Sequence, residues 1–276
     1  MATYLDRILA SHRARAAEDR RPLDQLLEAA RAVPPARPFT EALAGTEELA
    51  VVAEVKRRSP SKGDLAPDLV PGSLAHAYAE GGARCLSVLT DEAFFGGSPD
   101  DLVEARSATD LPVLRKDFTV AEPDVCDARL MGADAVLLIV AALDDRELRA
   151  FHDLAGELGL AALVEVHDEA EVERAVAAGA SLVGVNQRDL ETFEVDHARA
   201  ERVVKAVPPE VVTVAESGIR GPDDAARLAG AGYDAVLVGE TLVLAPDAVA
   251  QVRSLRVPRP RPETRGRGAR MAGGPR

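Results

Sequence analysis

The side chains able to do acid–base chemistry in this chain recur at the ends of short aliphatic runs. VVAEV (51–55) leads to Glu54 and Lys56, PVLR (112–115) to Lys116 and Asp117, and LVEV (163–166) carries Glu165. VGVN (183–186) ends on Asn186 with Arg188 beyond it, VVTVA (211–215) leads to Glu216 and Ser217, and AVLVG (235–239) to Gly239 and Glu240. Charge at the end of an apolar run is costly to bury unless it is paired or used. Six runs ending this way point to one shared polar site. Lys56 and Lys116 with Glu54, Glu165 and Glu216 would supply proton donors and acceptors, and mutual proximity and burial move such pKa values towards neutrality. AESGIRGPDD (215–224) and VGETL (238–242) place Ser217, Gly218, Gly239 and Glu240 where backbone N–H groups can meet a phosphate, with Arg188 and Lys56 completing the charge. No spacing reads as a metal site: there is no H-E-x-x-H, no cysteine pair at ligand spacing and no EF-hand loop. The five histidines (12, 76, 152, 167, 197) scatter over helices and loops, and His167, near a strand end, reads as a rim residue.

One repeated unit must position these groups. A helical segment closes on small residues and Gly, and an apolar run follows, as in EGGARCLSVL (80–89), LMGADAVLLIV (130–140), ELGLAALVEV (157–166), AAGASLVGVN (177–186) and GAGYDAVLVG (230–239). Glycine after the last turn supplies a left-handed C-cap, and uninterrupted apolar runs suit strands buried on both faces of a parallel sheet. With the first, third and seventh runs this gives eight strands centred near 53, 87, 113, 137, 163, 183, 213 and 237, with amphipathic stretches between them, such as 144–159 and 168–179. Eight strand–helix alternations in about 200 residues predict an α/β fold, a single (β/α)8 barrel, whose chemistry gathers at the C-terminal strand ends. A doubly wound sheet is the alternative, but EVKRRSPSKGD after the first strand is no dinucleotide loop. Two helical stretches, 3–20 and 22–33, make an N-terminal extension (1–45) expected to cover one end of the barrel.

Composition sets the boundaries. The chain has 276 residues, 47% of them hydrophobic, and a net charge of −13. Residues 258–276 hold six Arg and one Glu, which leaves −18 on residues 1–257. So acidic a body repels a phosphate backbone, so no nucleic-acid partner is expected. The Arg/Pro/Gly tail offers almost nothing to bury and is predicted to be disordered. No apolar run of about 18 residues is present and the N-terminus lacks a signal-like apolar stretch, which excludes a membrane partner. Two cysteines, Cys85 and Cys126, make no disulfide framework and favour a cytoplasmic setting. No obligate protein partner is readable.

The motifs AEVKRRSPSKGDL (53–65), LTDEAFFGGS (89–98), LRKDF (114–118), GADAVLLIVAAL (132–143), LVEVH (163–167), GVNQRDL (184–190), AESGI (215–219) and LVGETLV (237–243) together resemble indole-3-glycerol phosphate synthase, from the N-terminal helix to about residue 255. The resemblance implies a TIM barrel and a carboxy-lyase of tryptophan biosynthesis. Such an enzyme converts the phosphorylated substrate 1-(2-carboxyphenylamino)-1-deoxyribulose 5-phosphate to indole-3-glycerol phosphate, CO2 and water, without metal or organic cofactor. It makes Lys116 the general acid of ring closure and Glu165 the acid/base of dehydration. Lys56 would hold the substrate carboxylate and is also a candidate proton donor. Glu54, Asn186, Glu216 and Ser217 would orient the substrate, and Arg188, Gly218, Gly239 and Glu240 would surround the phosphate with Ser59 nearby. Phe94, Phe95, Phe118, Leu138 and Leu190 are placed to floor the aromatic ring. Gln187, where a second Asn is common, and the non-aromatic stretch 119–128 depart from the family pattern and bear on substrate affinity.

Three rival readings remain at this point. A lysine in a phosphate-binding barrel can form a Schiff base, as aldolases do. A sugar-phosphate isomerase would share the barrel without needing two Lys and three Glu at its mouth, and a non-catalytic binder needs neither acid nor base.

Overall fold

The computed structural model describes residues 3–60, 62–189 and 194–260. Strands β1 (Ala50–Val55), β2 (Cys85–Leu89), β3 (Val113–Lys116), β4 (Ala135–Ile139), β5 (Ala161–Val166), β6 (Leu182–Asn186), β7 (Val212–Glu216) and β8 (Ala235–Val238) run parallel, each beside the next. The barrel closes where β8 pairs with β1, from Ala50 opposite Ala235 to Ala53 opposite Val238. Helices α1 (Tyr4–Glu18), α2 (Leu23–Ala32) and α3 (Phe39–Leu43) precede it. Between strands come α4 (Pro71–Gly81), α5 (Glu92–Phe95), α6 (Pro99–Ser107), α7 (Glu122–Leu130), α8 (Asp145–Glu157), α9 (Glu169–Ala177), α10 (His197–Val203) and α11 (Pro222–Ala231), with α12 (Glu240–Val243) and α13 (Ala248–Leu255) after β8. The (β/α)8 expectation holds.

The repeated helix-to-strand junction has a physical form. After α4, α7, α8, α9 and α11 a glycine turns the chain at φ between 76° and 105° (Gly82, Gly132, Gly159, Gly179 and Gly232). The next residue then donates its N–H back to a carbonyl five residues earlier, as Leu160 does to Ala155 at 2.8 Å. This closes the helix's last carbonyls and aims the chain straight into a strand.

Side-chain parity builds two concentric cores. Successive strand residues face opposite sides. Val52, Leu114, Leu137, Ile139, Leu163, Leu182, Val214 and Leu237 fill the barrel interior, while Val51, Val113, Val136, Leu138, Val164, Val183 and Val236 face the helices. The inward set continues up each strand into Glu54, Lys116, Glu165, Asn186 and Glu216. The hydrophobic pattern that packs the interior therefore also points the polar groups into the mouth.

The N-terminal extension serves both ends of the barrel. Phe39 and Leu43 of α3 join the interior cluster at the bottom, while Tyr4, Leu5 and Ile8 of α1 line the cavity at the top. His12 fixes α1 there. Arg15 Nη2 donates to its Nδ1 at 2.8 Å, so its proton lies on Nε2 and goes to Asp91 Oδ2 at 2.9 Å. Asp117 also approaches this ring, which groups three ligand-type atoms within 4.8 Å. Asp117 is already occupied, however, by Thr90, Arg115 and the Phe118 N–H.

The described structure continues past residue 257, the expected boundary with the tail, to residue 260. Pro258 bridges Glu48, the Arg259 N–H donates to Glu47 O at 2.9 Å, and the Arg259 guanidinium pairs with Asp234 at 2.6 Å. Residues 261–276, on which most of the predicted tail falls, lie outside the described residues. Among the described residues no helix is long and apolar enough to cross a membrane.

Candidate active site

The strand ends enclose a cavity of about 410 Å³. At its centre the Lys116 ammonium donates to Glu216 Oε2 at 2.5 Å and to Glu165 Oε2 at 3.0 Å. Asn186 Nδ2 donates to the other Glu165 oxygen at 3.1 Å, and across the mouth Lys56 Nζ bonds Glu54 Oε1. All six sequence-derived acid–base and orienting residues thus line one cavity, with Ser59, Phe118, Arg188, Ser217, Gly218, Gly239 and Glu240.

Glycine makes room for the carboxylates. A Cβ on Gly184 would overlap Glu216 Oε1, and one on Gly239 would overlap Glu54 Oε1 and meet Lys56 Nζ at 2.8 Å. Gly239 therefore leaves room for the Lys56–Glu54 pair.

One ammonium between two buried carboxylates sets the electrostatics. Burial alone would lower the Lys116 pKa, but the charges of Glu165, Glu216 and Glu54 outweigh it and raise it. Glu165 is desolvated, yet Lys116, His167 and the Asn186 amide hold its pKa down to about 2. Burial pushes Glu216 up to about 7; Lys116 opposes the rise and Glu165 adds to it. Glu216 lacks the second donor that Glu165 has, because its Oε1 is buried with no hydrogen-bond partner among the described residues. The site therefore holds a charged ammonium, an ionised carboxylate and a carboxyl that titrates near neutrality. Ser59 Oγ is likewise buried without a partner among the described residues.

The β7 end of the cavity carries a strained backbone. Ser217 adopts φ 67°, the one positive-φ residue other than glycine among the described residues, and Gly218 follows at φ 72°. Such a conformation persists only where its surroundings fix it. Here Gln187, fully buried, donates from Nε2 to Ser217 O at 2.7 Å. The departure at Gln187 thus supports the Ser217 turn.

Two expected ring contacts are corrected. Leu138 has outward parity and packs among the helices; Leu137 and Ile139 are the β4 residues that line the cavity. Phe94 packs edge-on against Tyr4 at 5.8 Å, leaving Phe95 and Phe118, 6.3 Å apart, on the cavity wall. Leu190 lies outside the described residues. Sequence reasoning also missed Tyr4, Leu5 and Ile8 of α1, and Lys62, His197, Arg220 and Thr241 elsewhere on the cavity wall. Lys62, Arg220 and Thr241 had a signal, since each falls within a stretch already singled out. The others depend on long-range docking.

The chain matches the sequence pattern of indole-3-glycerol phosphate synthase over residues 5–255. It belongs to the indole-3-glycerol phosphate synthase family. A synthase of that name from Nocardioides sp. is 58% identical over 74% of this chain and 79% of its own length. Indole-3-glycerol phosphate synthase 1 of Streptomyces coelicolor is 50% identical over 92% of this chain and 94% of its own, and the Mycolicibacterium smegmatis synthase is 49% identical over the same shares. Among solved structures, thiamine phosphate pyrophosphorylase from Pyrococcus furiosus superposes with TM-score 0.58 at 19% identity, covering 79% of this chain and 96% of that one. That likeness concerns the barrel alone. Membership of the synthase family brings with it a carboxy-lyase activity in tryptophan biosynthesis.

Proposed function

We propose that Lys116 and Glu165 divide the proton transfers by which the synthase converts 1-(2-carboxyphenylamino)-1-deoxyribulose 5-phosphate to indole-3-glycerol phosphate. The observation that carries this is the shared ammonium, Lys116 Nζ within 3.0 Å of both Glu165 and Glu216. The aromatic carbon bearing the carboxylate attacks the sugar ketone, and the developing alkoxide needs a proton, which Lys116 supplies. Lys56, held by Glu54 on the opposite side, receives the substrate carboxylate until CO2 leaves and aromaticity returns. Dehydration then removes the hydroxyl with one proton and takes another from the adjacent ring carbon. Glu165 handles that exchange. The charge that held it down has gone once Lys116 is neutral, so its proton affinity rises when a base is required.

Phe95, Phe118, Leu137 and Ile139 form the apolar wall for the ring, and Ser217, Gly218, Gly239, Arg188 and the Glu240 backbone surround the phosphate. Both cysteines are buried free thiols, which supports a cytoplasmic setting. Incubation with the carboxyphenylamino-deoxyribulose phosphate should produce indole fluorescence. A borohydride-trapped adduct at Lys116 would replace the synthase reading with the aldolase, and no turnover at all would leave the non-catalytic binder.

A further inference from the structure

We propose that His167 is the proton reservoir of the site, storing on its imidazolium the one proton that each turnover consumes and passing it to Glu165. The inference rests on the synthase reaction. At neutral pH the substrate carboxyl is ionised, and CO2 leaves without taking a proton. Ring closure delivers one proton to the ketone oxygen, departure of water takes a second, and the ring carbon returns one. The balance is one proton from solvent per turnover, needed while substrate fills the mouth.

His167 is built for this. It follows Glu165 by two residues and shares its inward parity. Its backbone N–H donates to Glu171 Oε2 at 2.7 Å and its Nδ1 lies 3.1 Å from the same oxygen. Glu171 is itself fixed, its N–H donating to the α9 cap Asp168 at 2.8 Å. With Nδ1–H bound to Glu171, the neutral ring would turn the lone pair of Nε2 towards Glu165 Oε1, 3.8 Å away. Only the imidazolium puts a proton there. Nε2 is buried with no hydrogen-bond partner among the described residues, so nothing else claims that position. The charged groups facing the ring are Glu165 from β5, Glu171 from α9 and Arg199 from α10. Burial and Arg199 lower its pKa, the two carboxylates outweigh them, and the net shift is upward.

The cycle closes. Loss of the Lys116 proton in ring closure frees Glu165 to accept the Nε2 proton at Oε1, across a gap that tightens in the substrate complex or is bridged by one water. The resulting carboxylic acid protonates the departing hydroxyl as its C–O bond breaks. Glu165 then takes the proton released by the ring carbon and returns it to the Lys116 amine, 3.0 Å away. Neutral His167 regains its proton from solvent after product leaves.

The test uses the full chain. His167→Gln keeps an amide but cannot ionise. It should lower kcat at least about tenfold, leave KM within about twofold, and abolish the fall in kcat that wild type shows as pH rises through the His167 pKa. Glu171→Gln should move that fall to lower pH. In a wild-type single turnover followed with a pH-indicator dye, proton uptake should lag indole formation, and it should coincide with it in His167→Gln. Wild-type uptake coincident with indole formation, or a His167→Gln enzyme with wild-type kcat and pH profile, would overturn the reservoir. Should His167→Gln not fold, the wild-type dye trace and Glu171→Gln still decide. A wild type that does not turn over at all would instead fail the synthase reading.

Discussion

Glu216 accepts from Lys116 at 2.5 Å through Oε2, while its other oxygen, Oε1, is buried without a partner among the described residues. The carboxyl thus anchors the ammonium and is itself incompletely satisfied. Lys116 is held in place and charged, which a general acid requires. Lys116→Met should lower kcat by about 10²- to 10⁴-fold and change KM much less. Retention of more than a tenth of the turnover would remove Lys116 from the chemistry. Lys116→Arg should not rescue it, because a guanidinium scarcely releases its proton.

The same buried carboxyl makes stability depend on pH. The folded-state pKa of Glu216, about 7, lies above its ordinary value of 4.5. Its contribution is therefore full below pH 4.5 and is lost as pH rises through 7. Glu165 acts in the opposite sense: with a pKa near 2, it stabilises above pH 4.5 and loses that contribution as pH falls towards 2. Glu216→Gln should flatten the alkaline decline and leave the acid side as in wild type. Melting temperatures from pH 4.5 to 8.5 would show the variant gaining on wild type as pH rises, and parallel curves would contradict this.

Gly184 sits across from Glu165 in the β5–β6 register and beneath the Glu216 carboxyl. A methyl there also meets Leu163 Cδ1 at 3.2 Å, so the strand cannot yield inward. Gly184→Ala should cost about 1–3 kcal/mol by overpacking and reduce kcat by displacing Glu216 from Lys116. Wild-type melting and turnover together would show that the carboxyl moves aside freely.

The barrel and the acid–base set were legible because one periodicity encodes both. Glu54, Lys116, Glu165, Asn186 and Glu216 fall on the parity of the inward aliphatic residues, so a strand register that packs the interior also delivers the site. The same rule should have rejected Leu138, which is one residue out of phase with Glu165's neighbours Leu137 and Ile139. Phe94 against Phe95 was not decidable in this way, since α5 is a single turn whose facing depends on Tyr4 of the distant α1. His12 reaches Asp91 across 79 residues of sequence, a contact with no local pattern. His167 lay in plain view, two residues beyond Glu165, but its role emerged only when Glu171 and the orphaned Nε2 were placed around it.

Gln187 ties two loops together. Its amide fixes the Ser217 carbonyl, and Ser217 holds the left-handed conformation that, in the proposed function, turns the following N–H groups towards the phosphate. Removing one hydrogen bond costs about 0.5–1.5 kcal/mol, so Gln187→Ala should raise KM and the inhibition constant of inorganic phosphate by about 2- to 12-fold together. kcat should move little. A change in kcat alone would place the effect at Glu216, whose carbonyl also accepts from the Gln187 side-chain amide at 3.4 Å.

Two truncations test where docking of the C-terminus ends. Beyond Pro260 the chain carries five Arg, one Glu and Met271 as its only large apolar side chain apart from Pro. Burial there cannot offset an ordering entropy of about 1–2 kcal/mol per residue, and attraction to the acidic body would be weak and screened by salt. Ending the chain after Pro260 should leave turnover, KM and melting temperature unchanged. Ending it after Val257 should lower the melting temperature by a few degrees, because it removes the Arg259–Asp234 ion pair and the backbone bond to Glu47. Asp234 also caps β7 through Thr213, accepting from its N–H at 2.8 Å, so the loss reaches the barrel's closing strands. Equal melting temperatures for the two truncations would show that Arg259 contributes nothing. A drop already present in the longer one would show that residues past 260 dock on the body.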